Sequence, residues 1–315
     1  MSYNEVVTQS ITILIVMILL GMMLREFKVL KEEHSKIFAN IILNFTLPAM
    51  IFSSLSQSHF KFDHLVLALV MIITEVCAAL LALLIGRLLK LSRPRLGALI
   101  LASTFGSSGF LGYALVKIIF PDNARALADA AIVSEFGVAF MLFTFGVFIA
   151  MYFGKNKLGT KDIKKEIGRF FYSPLFFSLV LGIATSFLNP PQNNLVVSTF
   201  YKLLGIISSA NTVLVTLTIG VMLHFRDLRK VWGVVLLAIF IKLIFQPLFS
   251  NLQASLFNFP VLWNKITVIE ASMPSATMTA IFAKQYNCDS ELTTILIFAT
   301  FISSFFTMVM MVWLL

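Results

Sequence analysis

Apolar runs long enough to cross a hydrocarbon core recur along the chain, separated by short polar stretches. One helical crossing needs roughly 20 apolar residues. Ten runs are read on that basis: Val6 to Leu24, Ser35 to Ser56, His64 to Leu89, Leu96 to Phe120, Ala126 to Phe153, Tyr172 to Leu188, Leu195 to Leu223, Val231 to Leu252, Asn264 to Ala283 and Leu292 to Leu315. The pattern predicts an all-α polytopic membrane protein with ten transmembrane helices. No positive charge precedes the first run and no small-residue cleavage site follows it, so it reads as a retained helix rather than a signal peptide.

Two runs are interrupted. Asn264 to Asn287 carries Glu270, Pro274 and small hydroxyl residues at its centre. Proline removes a backbone donor and clashes with the carbonyl four residues back, which breaks or kinks a helix. Leu96 to Phe120 is broken by Gly106-Ser107-Ser108-Gly109, where glycines let the backbone leave helical geometry. Lipid tolerates such breaks only where protein or a water-filled cavity receives the freed polar groups. A pair of discontinuous helices is the pattern of a transporter's binding site at membrane depth.

Composition agrees with the hydropathy pattern: 59% of residues are hydrophobic and 12% charged, against about 25% charged in soluble proteins. The net charge of +9 does not imply a nucleic-acid partner, because the basic residues fall in alternate short loops. Arg25, Lys28, Lys31 and Lys36 fill one such loop, Arg87, Lys90, Arg93 and Arg95 another, and Arg226, Arg229 and Lys230 a third. With the linker Lys155 to Arg169, they place those loops in the cytoplasm and both termini outside a cell (plasma) membrane. Cys77 and Cys288 suggest neither a disulfide framework nor a metal site.

Five runs, a basic linker and five more runs define residues 1–153, 154–170 and 171–315. His59-Phe60-Lys61 follows the second run and His224-Phe225-Arg226 the seventh. The break at Gly106-Ser107-Ser108 occupies the same place in its half as Pro274-Ser275-Ala276. Each half has an odd number of crossings, so the second repeat is expected to be inverted, with helices four and nine broken and crossing.

Glu75, Glu135, Lys242 and Glu270 lie inside the runs, where a charge costs about 2.5–3.5 kcal/mol at the bilayer centre. Such groups line an ion or substrate path or form a buried pair, and Glu75 with Lys242 is the candidate pair. Glu270, one turn before Pro274, is the candidate for a coupling proton or sodium ion. Ser107 and Ser108 offer hydroxyls, and a half-helix beginning after the break aims its amides at an anion. The alternative is a small-residue packing seam. The Gly-Ser-Ser-Gly stretch is also like the serine motif of rhomboid intramembrane proteases. That chemistry needs a histidine at membrane depth, and His34, His59, His64 and His224 all fall at helix ends or in loops. With no phosphate-binding loop either, neither an enzyme nor a nucleotide-driven pump is expected.

Three stretches carry a family resemblance: Met273-Pro274-Ser275-Ala276 with Ala283-Lys284-Gln285-Tyr286-Asn287, Asn44-Phe45-Thr46-Leu47-Pro48 running on to Phe52-Ser53-Ser54-Leu55, and Phe105-Gly106-Ser107-Ser108-Gly109-Phe110-Leu111-Gly112. They resemble the auxin efflux carrier family, which includes PIN-type plant carriers and bacterial malate and malonate permeases. Lys242 before Pro247 resembles that family's eighth helix. The resemblance implies two inverted five-helix repeats, a scaffold of helices one, two, six and seven, and a transport domain where helices four and nine cross. It implies a secondary transporter of small organic anions, such as mono- or dicarboxylates, working by alternating access. The substrate-binding residues would be Asn44, Ser53, Gly106, Ser107, Ser108, Gly109, Pro274, Ser275, Ala276 and Thr277, with Glu270, Glu75 and Lys242 for ion coupling or charge balance. The related bile acid–sodium symporters carry a sodium-binding Glu and then a Gln in helix nine; Glu270 matches the first and Pro274 replaces the second. Ser107 and Ala114 stand where the family usually has asparagine and proline. A cation/proton antiporter could use the same crossover. No cofactor beyond H+ or Na+ is expected. The expected partners are an organic anion, the lipid bilayer and, as an open option, a second copy in a homodimer.

Overall fold

A computed structural model describes residues 3–31, 33–57, 62–121, 123–154, 168, 171–188, 194–222 and 231–314. The regular structure of these residues is helical, apart from one isolated backbone bridge. Seven helical segments among them are long and apolar enough to cross a membrane: Thr8–Glu26, Ile37–Ser56, Leu65–Leu88, Ala124–Phe153, Leu195–Val221, Trp232–Leu256 and Ser290–Met311. Ser108–Ile119 and Pro174–Leu188 are shorter apolar helices. The chain is therefore a polytopic helical membrane protein. The tripeptides at 59–61 and 224–226 lie outside the described residues, as does nearly all of the basic linker.

The helices are α1 (Tyr3–Glu26), α2 (His34–Ile41), α3 (Leu47–Ser56), α4 (Leu65–Leu88), α5 (Arg93–Thr104), α6 (Tyr113–Ile119), α7 (Ala124–Ala131), α8 (Val147–Phe153), α9 (Pro174–Leu188), α10 (Leu195–Met222), α11 (Trp232–Ile239), α12 (Gln246–Leu256), α13 (Val261–Ala271), α14 (Met278–Gln285) and α15 (Ser290–Leu314). Wider π-helical turns join several of them without a break, including Ile42–Thr46 before α3 and Phe240–Phe245 before α12. Pro48 and Pro247 stand at the second position after these two turns. A proline clashes with the carbonyl four residues earlier, and in both cases that carbonyl belongs to the widened turn, where the extra residue makes room. Helices α1, α4, α12 and α14 end close to Lys28, Lys90, Asn258 and Asn287, all in the left-handed region that closes helix C-termini.

The chain forms two compact units. One comprises Met1–His64, Tyr113–Ala131 and Phe171–Leu223; the other comprises Leu65–Gly112, Ile132–Phe170 and His224–Leu315. In the first unit α10 packs on α1, α2 and α3, while α9 packs on α3. Thr46 and Asn211 link two of these helices through a buried hydrogen bond of 3.0 Å. His64, only 3% exposed, is buried beside Asp129 at 3.6 Å.

The α1–α10 crossing depends on two glycines. A Cβ on Gly220 would meet the Ile18 carbonyl oxygen at 2.3 Å and the Gly21 Cα at 2.9 Å. Both are backbone atoms that cannot turn aside. Gly220→Ala is expected to force the helices apart and cost about 1–3 kcal/mol, read as a lower melting midpoint of the detergent-solubilised protein. Gly205→Ala, on the same helix with nothing within 4 Å, is the matched control and should melt no lower than wild type.

In the second unit α5 is the central rod, with every residue from Leu96 to Thr104 buried. It packs against α4, α8, α11, α14 and α15. Cys288, in the turn between α14 and α15, donates its thiol to the Ala150 carbonyl at 3.3 Å. Burial, with a smaller contribution from the Asp289 charge, pushes that thiol up to about 12. Because the thiolate is the nucleophile, Cys288 should resist maleimide labelling from pH 7 to 8 in a Cys77→Ala background. Complete labelling within minutes in the folded protein would contradict this placement.

Candidate functional site

The fourth and ninth runs are both broken inside the second unit, and the two breaks solve each other's hydrogen-bonding problem. Helix α5 ends at Thr104, and Phe105 leaves it in an extended conformation (φ −92°, ψ 127°). Helix α13 ends at Ala271, and α14 begins only at Met278. Between these ends Gly106 and Ser275 pair as an antiparallel bridge. Ser107 N–H donates to the Pro274 carbonyl at 2.7 Å, and Ala276 N–H donates to the Phe105 carbonyl at 2.9 Å. Proline sets the break in one strand and glycine admits the close approach in the other. The freed backbone groups that lipid could not satisfy are thus satisfied across the crossing.

Two side chains from one helix close the C-terminal ends on either side. Lys242, 1% exposed, donates to the Ala271 carbonyl at 3.0 Å and to Gln246 Oε1 at 2.6 Å. The Gln246 amide donates in turn to the Ser103 and Thr104 carbonyls, at 2.9 and 2.8 Å. The last carbonyls of a helix are unpaired and carry its negative dipole end, where a cation is favourable. One lysine–glutamine pair therefore caps both α5 and α13. A Cβ on Gly106 would stand 3.2 Å from the Lys242 Cε and Nζ, so the ammonium lies directly against the bridge.

Lys242 is in electrostatic reach of Glu75 and Glu270, but neither carboxylate comes within the 4.0 Å of an ion pair with it. The candidate pair of Glu75 and Lys242 is thus in electrostatic reach without direct contact, and the Lys242 hydrogen bonds go to Ala271 and Gln246. Glu75 and Glu270 are both 1% exposed. Glu75 Oε2 and both oxygens of Glu270 have no hydrogen-bond partner. The Glu270 carboxylate rests on Gly112, where a Cβ would overlap its Oε2 at 2.3 Å.

The hydroxyls expected to meet substrate divide into two sets. Ser275 is internal: its hydroxyl donates to the Ala102 carbonyl, and Thr300 Oγ1 donates to it at 2.8 Å. Ser108 is bonded to Ser134 at 3.0 Å and is 1% exposed. Ser107, half-buried, and Thr277, exposed, make no side-chain hydrogen bond among the described residues, so theirs are the hydroxyls left available. Pro274 and Ala276 are buried and Gly109 is half-buried. Asn44 and Ser53 belong to the first unit. Asn44 is exposed and donates to the Asn40 carbonyl at 2.9 Å, and Ser53 Oγ accepts from Gln57 at 2.9 Å. Gln246 and Thr300 were not singled out in the sequence. Gln246 could have been found, since it lies four residues from Lys242 on the same helical face. Among the described residues no group of three or more His, Cys, Asp or Glu side chains could hold a metal.

A helical membrane protein with two crossed, mutually paired helix breaks and buried charges around them has the build of a transporter, and comparison with known proteins places it in a family. The chain belongs to the membrane transport protein family, matched over residues 6–311, which is the auxin efflux carrier family its motifs resemble. It is 30% identical over 309 residues to an uncharacterized transporter of Methanocaldococcus jannaschii, covering 96% of each chain. It is also 27% identical over 299 residues to an uncharacterized transporter of Methanothermobacter thermautotrophicus, covering 94% of each.

Proposed function

We propose that this protein is a secondary transporter of small organic anions, mono- or dicarboxylates, that works by alternating access. The observation that carries the reading is the paired crossing of Phe105–Ser107 with Pro274–Ala276, flanked by buried Glu270 and Lys242. An anion's carboxylate would be held by the free hydroxyls of Ser107 and Thr277 and by the first-turn amides of the half-helices that follow, where the positive dipole ends lie. Ten crossings in two inverted repeats, with both termini outside the plasma membrane, complete the arrangement. The alternating lysine and arginine loops support that orientation.

Glu270 is the residue for ion coupling. A buried carboxylate with neither oxygen hydrogen-bonded is costly unless a cation joins it. The test is uptake of labelled malate, malonate and lactate into proteoliposomes under imposed pH and sodium gradients. Wild type should accumulate at least one of these acids, and Glu270→Gln should lose gradient-driven accumulation while eluting as a folded monodisperse protein. Full gradient-driven uptake by Glu270→Gln would remove that role. Movement of inorganic cations without any organic anion would favour the antiporter.

A further inference from the structure

Gly109 and Gly112 lie three residues apart on the π-helical turn Ser108–Gly112 that opens the second half of the broken fourth run. A Cβ on Gly109 would stand 3.4 Å from Ser134 Oγ and 3.8 Å from Glu135 Oε1, while one on Gly112 would strike the Glu270 carboxylate. Two acids from separate elements, the π-helical Ile132–Ala139 and α13, thus lie against one five-residue turn. Glu135 is 2% exposed and Glu270 1%. Both oxygens of Glu270 lack a hydrogen-bond partner, and Glu135 and Lys242 are the charged groups in its electrostatic reach.

We propose that Glu135 and Glu270 form one proton site, sharing a single proton across the Ser108–Gly112 turn, and that this proton is the coupling ion. The inference rests on the transport reading above and extends it by naming the ion and the second carboxylate. Two buried carboxylates facing one segment cannot both hold full charge cheaply, and sharing a proton resolves this. The proton step is a plain transfer: hydronium on the open side gives up its proton, a carboxylate oxygen gains an O–H bond, and the reverse returns it to water.

The other elements packed on these two supply few further charges. Helix α12 carries no titratable side chain, α4 presents Glu75, and Lys242 comes from the turn before α12.

The test is pH-titrated infrared difference spectroscopy of the full-length protein in phosphatidylcholine vesicles, following the protonated carboxyl band. The pair titrates as a unit, so Glu135→Gln and Glu270→Gln should each move the midpoint of the remaining acid by at least about tenfold in proton concentration. Unmoved midpoints in both variants would overturn the proposal, and so would displacement of the band when sodium chloride replaces choline chloride. Should the glutamine variants fail gel filtration, Glu135→Asp and Glu270→Asp keep both acids but shorten their reach. Their midpoints must then shift, and unchanged midpoints in both overturn the pair. Coupled titration without organic-acid uptake would sink the transport reading alone. Uptake with independent titration would sink the pair alone.

Discussion

Replacing Lys242 with methionine is expected to be among the most damaging single changes in the second unit. The side chain is fully buried and its ammonium is spent on two acceptors, Ala271 O and Gln246 Oε1. Methionine keeps much of the length but removes both donors, leaving a helix C-terminus and an amide oxygen unsatisfied. It also removes the positive charge near Glu75 and Glu270. Removing one partner from a buried charged constellation costs about 3–5 kcal/mol. The purified variant should melt well below wild type, and uptake should fall with the loss of folded protein. Arginine should not rescue it: the guanidinium is larger, and Gly106 leaves no room beside the bridge. Gln246→Leu should produce a smaller loss of the same kind, since it frees the Ser103 and Thr104 carbonyls. A wild-type melting curve for Lys242→Met would show that the two caps are not what holds the crossing.

Hydropathy and charge exposed the helical membrane class, and Pro274 and the glycines around Ser107 exposed the two breaks, because each of these is a local property. A proline disrupts the helix it sits in whatever surrounds it. The boundaries moved only slightly. The first break spans Phe105–Ser107, so Ser108 and Gly109 already belong to the following helix, where they lie against Ser134 and Glu135. Partner choice was less legible. Gln246 meets carbonyls more than a hundred residues away, and Thr300 meets Ser275 from another helix. No periodicity encodes such contacts. Lys242 shows the limit most clearly: its burial could be anticipated, and a carboxylate partner was the natural guess, yet its hydrogen bonds go to a helix end and an amide. A broken helix leaves unpaired carbonyls that carry about half a negative charge, and here they are the nearer target.

Gly112→Ala is the second change expected to have a large effect, and it can be separated from a simple packing defect. The added methyl carbon would stand 2.3 Å from Glu270 Oε2 and 2.8 Å from its Cδ and Oε1. Overpacking of a tight interior costs about 1–3 kcal/mol, and here the yielding group is the carboxylate assigned to ion coupling. The variant should therefore melt lower and lose gradient-driven uptake more than tenfold. Shortening the acid in the same background withdraws the carboxylate by about one methylene, so Gly112→Ala with Glu270→Asp should recover most of the melting midpoint. Contacting residues depart from additivity by about 0.5–3 kcal/mol, and the recovery should fall in that range. Alanine at Gly109 is the companion measurement. Its Cβ would keep 3.4 Å from Ser134 and 3.8 Å from Glu135, ordinary contact distances, so stability should hold. Recovery of stability without recovery of uptake would mean that the position of the Glu270 carboxylate, and not merely its presence, sets coupling. No recovery at all would show that the methyl meets something other than that carboxylate.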